Sequence, residues 1–327
     1  MNSLARVRID ASQFPENVRR DLLASLRSRQ VNHKFHYDSV KQTQKWLALH
    51  QQYSPTRHDD DCLAMYEKSF AAAAKRLDAP AVHVVGLGCG GGQKDTRLLK
   101  RLQAAGKDIS YTPSDVATAM VLVARATALA VVPDENCFPL VCDLASADDL
   151  PAVLATGGQP ETPRLLTFFG MIPNFEPAVI LPKLAALIRP SDWLLFSANL
   201  APGNDYAAGV RQILPQYDNE LTRDWLLTFL LDLGVERGDG VLKFQIETSA
   251  TTGLQRVAAH FQFQRPRRID VESDRFEFAS GDSIQLFFSY RYTPDLARKA
   301  LTGHGLEICE SWVMTSEEEG VFLCRKK

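Results

Sequence analysis

The chain has 327 residues, 45% hydrophobic and 23% charged, a globular composition with enough apolar material for one large or two moderate cores. Its formal net charge of -2 provides no basic excess for nucleic acid or an anionic membrane surface. No apolar run approaches the ~20 residues that cross a bilayer, and the first ten residues lack a signal-like apolar segment, so a cytoplasmic protein is expected.

Residues 15–29 place Val18, Leu22, Leu23 and Leu26 on one helical face, and a polar, aromatic-rich segment follows over 31–57. A helix is predicted over 62–77. The pattern then becomes strand–helix alternation: strand 82–85, helix 94–105, strand 109–112, helix 117–130, strand 139–142, strand 165–169, helix 177–188 and strand 193–198. This rhythm predicts a parallel sheet covered on both faces. It is lost from 203 to 285, where a helix over 217–233 and strands over 242–248, 257–263 and 276–279 are expected. A helix over 294–302 and two strands, 306–314 and 320–324, close the chain around an acidic turn at Glu317, Glu318 and Glu319. The simplest parse is an α/β core of 58–199 and 289–327, with 1–57 and 200–288 forming a second α+β unit.

Six cysteines and seven histidines show no CxxC, HxxxH or HExxH spacing, so no metal site is expected. His58 to Asp61 reads as an acidic helix start, and Arg265 to Arg268 as a short basic turn in solvent.

The strongest local signal is the first core strand running into Gly86-Leu87-Gly88-Cys89-Gly90-Gly91-Gly92 and then a helix. Such a loop lets a ligand lie against backbone beside a helix N-terminus, although many glycine-rich turns are only turns. Asp115 ends the second strand, where a carboxylate can accept ribose hydroxyls, and Asp143 ends the third, within reach of an adenine amino group. Each acid alone is more often a helix cap or turn residue. Together, on one edge of a parallel sheet, they point to an adenosine site made by Gly86, Gly88, Gly90, Asp115 and Asp143, with Gly170 at the end of the fourth strand. The closing helix and strand pair resembles the reversed hairpin of class I methyltransferases rather than the extra parallel strand of a dinucleotide fold.

Several motifs in order resemble the histidine-specific N-methyltransferases of ergothioneine biosynthesis. FHYD (Phe35 to Asp38) is similar to the family's FYD, QYSPTR (Gln52 to Arg57) to EYYPTR, and GLGCGGGQK (Gly86 to Lys94) to ELGSGTSEK. YTPSDV (Tyr111 to Val116) is similar to YVPFDV, FFGMIPNFEP (Phe168 to Pro177) to FLGSTIGNFxP, and PQYDN (Pro215 to Asn219) to AYDD. The resemblance implies S-adenosyl-L-methionine as cofactor, a class I Rossmann-like core and a substrate-binding second domain. It adds Lys94 to the cofactor residues, places Tyr53 and Asn174 in catalysis, and puts Tyr37, Tyr217 and Ser289 around the acceptor. Asn174 can bond an amino acid's amine and carboxylate, and Tyr53 offers a hydroxyl acceptor.

Three positions depart from the family. Phe287 replaces a glutamate that holds the imidazole, Tyr53-Ser54 replaces a tyrosine pair, and Asn199 stands where the family has aspartate. Phenylalanine cannot accept from an imidazole N–H, and a pocket that loses such a contact loses selectivity steeply. An aromatic amino acid or alkaloid-like amine therefore fits better than histidine, as in the related fungal enzymes that methylate a prenylated tryptophan. The expected protein is a monomeric N-methyltransferase of a small-molecule amine or amino acid. A SAM-binding protein with impaired catalysis and a nicotinamide-dependent oxidoreductase remain as alternatives.

Overall fold

The computed structural model describes residues 4–155 and 161–327. In chain order the elements are β1 (Arg8–Ile9), α1 (Pro15–Ser28), α2 (Val40–Tyr53), α3 (Pro55–His58), α4 (Asp60–Arg76), β2 (Ala81–Leu87), α5 (Gln93–Ala104), β3 (Asp108–Asp115) and α6 (Thr118–Ala128). There follow β4 (Leu140–Val141), α7 (Leu150–Ala155), β5 (Arg164–Phe168), α8 (Pro177–Leu187), β6 (Trp193–Asn199), α9 (Tyr206–Tyr217) and α10 (Glu220–Asp232). The chain closes with β7 (Gly240–Thr248), β8 (Gln255–Phe263), β9 (Arg267–Val271), β10 (Asp274–Phe278), β11 (Ser283–Tyr290), α11 (Pro294–Gly303), β12 (Leu306–Val313) and β13 (Glu319–Lys326). No helix among the described residues is long and apolar enough to cross a membrane.

The chain divides into two compact units, the first comprising Met1–Gln13, Pro55–Leu200 and Tyr292–Lys327. Its eight-stranded sheet runs β1-β4-β3-β2-β5-β6-β13-β12. The strands from β1 to β6 pair in parallel, whereas β13 enters antiparallel to β6 and β12 antiparallel to β13. Val84, Val85, Leu165, Leu166, Leu194 and Leu195 are fully buried, as central strands covered on both faces require. This is the Rossmann-like order with the reversed closing hairpin. The N-terminal stretch corrects the sequence-based parse: its described residues up to Gln13 belong to this unit, because β1 extends the sheet along β4. A two-residue strand carries too little periodicity to be seen in sequence. The acidic helix start is real, since Asp59 caps α4 by accepting from the Cys62 N–H.

The second unit comprises Phe14–Ser54 and Ala201–Arg291. It holds the antiparallel sheet β11-β8-β7, the β9–β10 hairpin and a core around Trp225, Phe229, Phe261, Phe263, Phe278 and Leu286. The junctions thus fall at 54/55, 200/201 and 291/292, a few residues from the expected ones. Much of the polar segment 31–57 is helical: Ser39 and Gln42 form a reciprocal capping box that starts α2. The helix expected over 217–233 is two helices, because Tyr217 ends α9 and the Asn219 side chain caps α10 by accepting from Thr222. The basic turn is not simply solvated, since Arg265 and Arg267 both pair with the carboxylate of buried Asp239.

Candidate active site

In the first unit the glycine loop leaves β2 at the carboxyl edge of the sheet and leads into α5. Gly88 and Gly90 have positive φ, 66° and 52°, which only glycine adopts without strain. Asp115 ends β3 beside them: one carboxylate oxygen accepts from the Gly90 N–H at 2.9 Å and the other from the Ala117 N–H at 3.1 Å. Burial pushes this carboxyl up, and its backbone donors oppose the shift by favouring the anion. The Val116 backbone also bonds this carboxylate, so the loop and the chain that follows β3 together hold it in place. The loop and the acid are therefore one preorganised unit, and they fit an adenosine group.

Gly86 has a different reason to be glycine. A Cβ there would overlap the buried Asp95 carboxylate, which accepts from Tyr111 at 2.7 Å and Thr167 at 2.8 Å. Asp95 thereby ties α5 to β3 and β5 beneath the loop. Asp143 follows β4, is buried, and accepts from the Ala145 N–H at 2.9 Å, while its own N–H donates to Ser12 at 2.9 Å. Gly170, at φ 68°, donates its N–H to Ser197 at 2.8 Å. Asn174 ends the short turn Ile172–Asn174 that follows.

Lys94, in the first turn of α5, donates to the Tyr66 hydroxyl at 2.7 Å and to Glu319 at 3.3 Å. Tyr66 in turn donates to Glu319 and lies 3.1 Å from the Ser197 hydroxyl. Burial, and then the adjacent carboxylate, push the Tyr66 phenol well up, so it stays protonated. The acidic turn expected between the two closing strands ends before Glu319, which begins β13, is 7% exposed, and pairs across strands with Asn199. Sequence reading missed Glu319 and Asp95 because nothing local separates them from ordinary surface acids.

The second unit gathers four of the expected acceptor residues into a ring-lined cluster. Tyr37 packs against Trp46 and Trp225, with centroids 6.0 and 5.5 Å away. Phe287 meets Trp225 at 5.9 Å, Tyr217 at 6.0 Å and His33 at 5.2 Å. Tyr217 and Ser289 share a 2.8 Å hydrogen bond, and buried Arg291 donates to the Tyr217 hydroxyl at 2.7 Å. Tyr53, by contrast, ends α2 with 52% of its surface exposed and makes none of these ring contacts; it belongs to the second unit, Asn174 to the first.

Phe287 is aimed by a β-bulge between Gln285 and Phe287. The carbonyl freed at Leu286 accepts from the Nε2–H of His36 at 2.6 Å, and the Trp225 indole donates to the His36 carbonyl at 2.8 Å. Burial lowers the pKa of His36 to about 4 and that of His33 to about 3, so both rings are neutral near pH 7. Trp46, Trp225, His33, His36 and Arg291 escaped sequence reading. Only Arg291 had a signal, standing two residues beyond Ser289 and just past the end of β11.

A parallel sheet with a reversed closing hairpin, a positive-φ glycine loop and an acid pinned to it define a class I methyltransferase core. A family description, "Histidine-specific methyltransferase, SAM-dependent", matches residues 18–326. The chain belongs to that family, and its cofactor is S-adenosylmethionine. No curated protein matches the chain. Among solved structures it is similar to the magnesium protoporphyrin IX methyltransferase of Synechocystis with bound SAH, at 12% identity over 90% of this chain and 98% of that one, TM-score 0.47. It is also similar to the CcbJ methyltransferase of Streptomyces caelestis, at 16% identity over 80% and 94%, TM-score 0.39. A sugar N-methyltransferase from a Streptoalloteichus species matches at 13% identity over 85% and 93%, TM-score 0.40.

Proposed function

We propose that the chain methylates the amine of an amino acid or related small molecule that carries an apolar ring, rather than histidine. The observation that carries this reading is Phe287, set between Trp225, Tyr217 and His33 where the family resemblance implies an imidazole-binding carboxylate. An aromatic surround favours a flat apolar ring and offers π faces to a cationic amine. Tyr37, Tyr217, Phe287 and Ser289 hold the acceptor in this reading, with Arg291 orienting the Tyr217 hydroxyl. Asn174 bonds the acceptor's amine and carboxylate, and the Tyr53 hydroxyl accepts a hydrogen bond from the amine N–H.

On the donor side, Asp115 takes the ribose hydroxyls, Asp143 the adenine amino group and Lys94 the cofactor's carboxylate. Gly88 and Gly90 give the loop its positive-φ turn beside the cofactor, and Gly86 and Gly170 shape the loops around it. The cofactor supplies an electrophilic methyl group. The protein aligns the neutral amine lone pair with that carbon at about 3 Å.

Mass spectrometry across a panel of amino acids and amines, with S-adenosylmethionine as donor, tests the reading. Addition of a methyl group to an aromatic amino acid or aryl amine ahead of histidine is expected. Donor binding without transfer to any amine would favour a SAM-binding protein that has lost catalysis.

A further inference from the structure

Lys94 lies in the first turn of α5, where the helix dipole disfavours a cation. The Asp95 carboxylate beside it is buried and acts on the ammonium only through space, its hydrogen bonds coming from Tyr111 and Thr167. The compensating charge comes from β13: Glu319 accepts from the ammonium at 3.3 Å and from the Tyr66 hydroxyl. The ammonium also lies 4.4 Å from the Tyr66 ring centroid, so charge, hydroxyl and ring together fix its place. Ser197 joins the same network, accepting from the Gly170 N–H while lying 3.1 Å from Tyr66. Among the described residues two of the three ammonium donors are used, which leaves one for a ligand.

We propose that Glu319 is a positioning residue for cofactor binding, holding the Lys94 ammonium so that its remaining donor meets the amino-acid end of the cofactor. This rests on the reading of Lys94 as partner of the cofactor's carboxylate. Glu319 does not touch the cofactor in this account; it acts through Lys94.

Titration calorimetry with two probes tests it. S-adenosylhomocysteine carries the amino-acid end, and methylthioadenosine lacks it. Glu319→Gln is expected to weaken S-adenosylhomocysteine about tenfold, the scale of one charged hydrogen bond, and to leave methylthioadenosine unchanged. Glu319→Asp should recover part of the loss, and Tyr66→Phe should show a smaller loss with the same selectivity. In a Lys94→Met background the Glu319→Gln change should have no further effect.

Equal weakening of both probes would reduce Glu319 to a packing role and overturn the proposal. So would unchanged or tighter S-adenosylhomocysteine binding in Glu319→Gln while Lys94→Met weakens it. If Lys94→Met itself leaves S-adenosylhomocysteine unchanged, the reading of Lys94 fails and the proposal with it. Tyr66→Phe removes no charge, so it keeps the test available if a Glu319 variant does not fold.

Discussion

The two units build their sites in opposite ways. In the first, polar groups are pinned by hydrogen bonds: Asp115 by the Gly90 and Ala117 N–H groups, the Gly170 N–H by the Ser197 hydroxyl, and Asp95 by two hydroxyls beneath the loop. In the second, the candidate acceptor surface is made of rings, with Tyr217, Ser289 and Arg291 as its main hydrogen-bonding group. Backbone-pinned carboxylates select one chemical group and tolerate little change. Ring surfaces select shape and can be retuned by one substitution. A family can thus keep its cofactor and change its acceptor.

The sharpest way to break this contrast is at Asp115. Asp115→Ala removes the proposed ribose contact and the partner of the Gly90 N–H together. Loss of one charged acceptor corresponds to about 1.5–3 kcal/mol, so S-adenosylhomocysteine affinity should fall roughly 10- to 100-fold in calorimetry. An unchanged affinity would show that the loop is only a turn. Phe287→Glu comes next and sharpens the other side. The added carboxylate should lower kcat/KM for an aromatic acceptor about tenfold or more and raise it for histidine, as competition assays would show. Both acceptors falling equally would mean that position 287 does not read the ring.

Arg291→Met should act more gently. It removes the donor to Tyr217 and the guanidinium over its ring, so KM for the acceptor should rise several-fold with S-adenosylhomocysteine binding unaltered. A change in cofactor affinity instead would contradict a role confined to the acceptor side.

The smallest effect concerns pH. The folded-state pKa of His33, about 3, lies below its usual 6.5, so the unfolded chain takes the proton first as pH falls. Its contribution to stability is present above pH 6.5 and is lost as pH falls toward the folded value. One such group costs about 2 kcal/mol at pH 5. His33 makes ring contacts with Phe287 and Phe288, and among the described residues its ring nitrogens have no hydrogen-bond partner. His33→Phe should therefore flatten the decline in melting temperature between pH 6.5 and 4, and an unchanged slope would argue against a buried neutral ring.

The same contrast explains what the sequence made legible. The glycine loop and the acid at the end of β3 are short, local signals attached to a strand, and the reversed hairpin is visible as two strands after a final helix. Phe287 stood out only through family resemblance. Its neighbours come from His33, Tyr217 and Trp225, far apart in the chain, and no local period brings them together. The helix α2 was hidden because its start depends on side-chain capping, while Trp46 and Leu49 give it a weak apolar stripe. Glu319 was lost within an acidic run, where only its cross-strand and helix partners distinguish it from Glu317 and Glu318.

The most direct test is a competition assay in which the enzyme and S-adenosylmethionine meet equal concentrations of histidine and an aromatic amino acid such as tryptophan. Methyl transfer, followed by mass spectrometry, should favour the aromatic acceptor in the native chain and shift toward histidine in Phe287→Glu. Preferential methylation of histidine by the native chain would contradict the account.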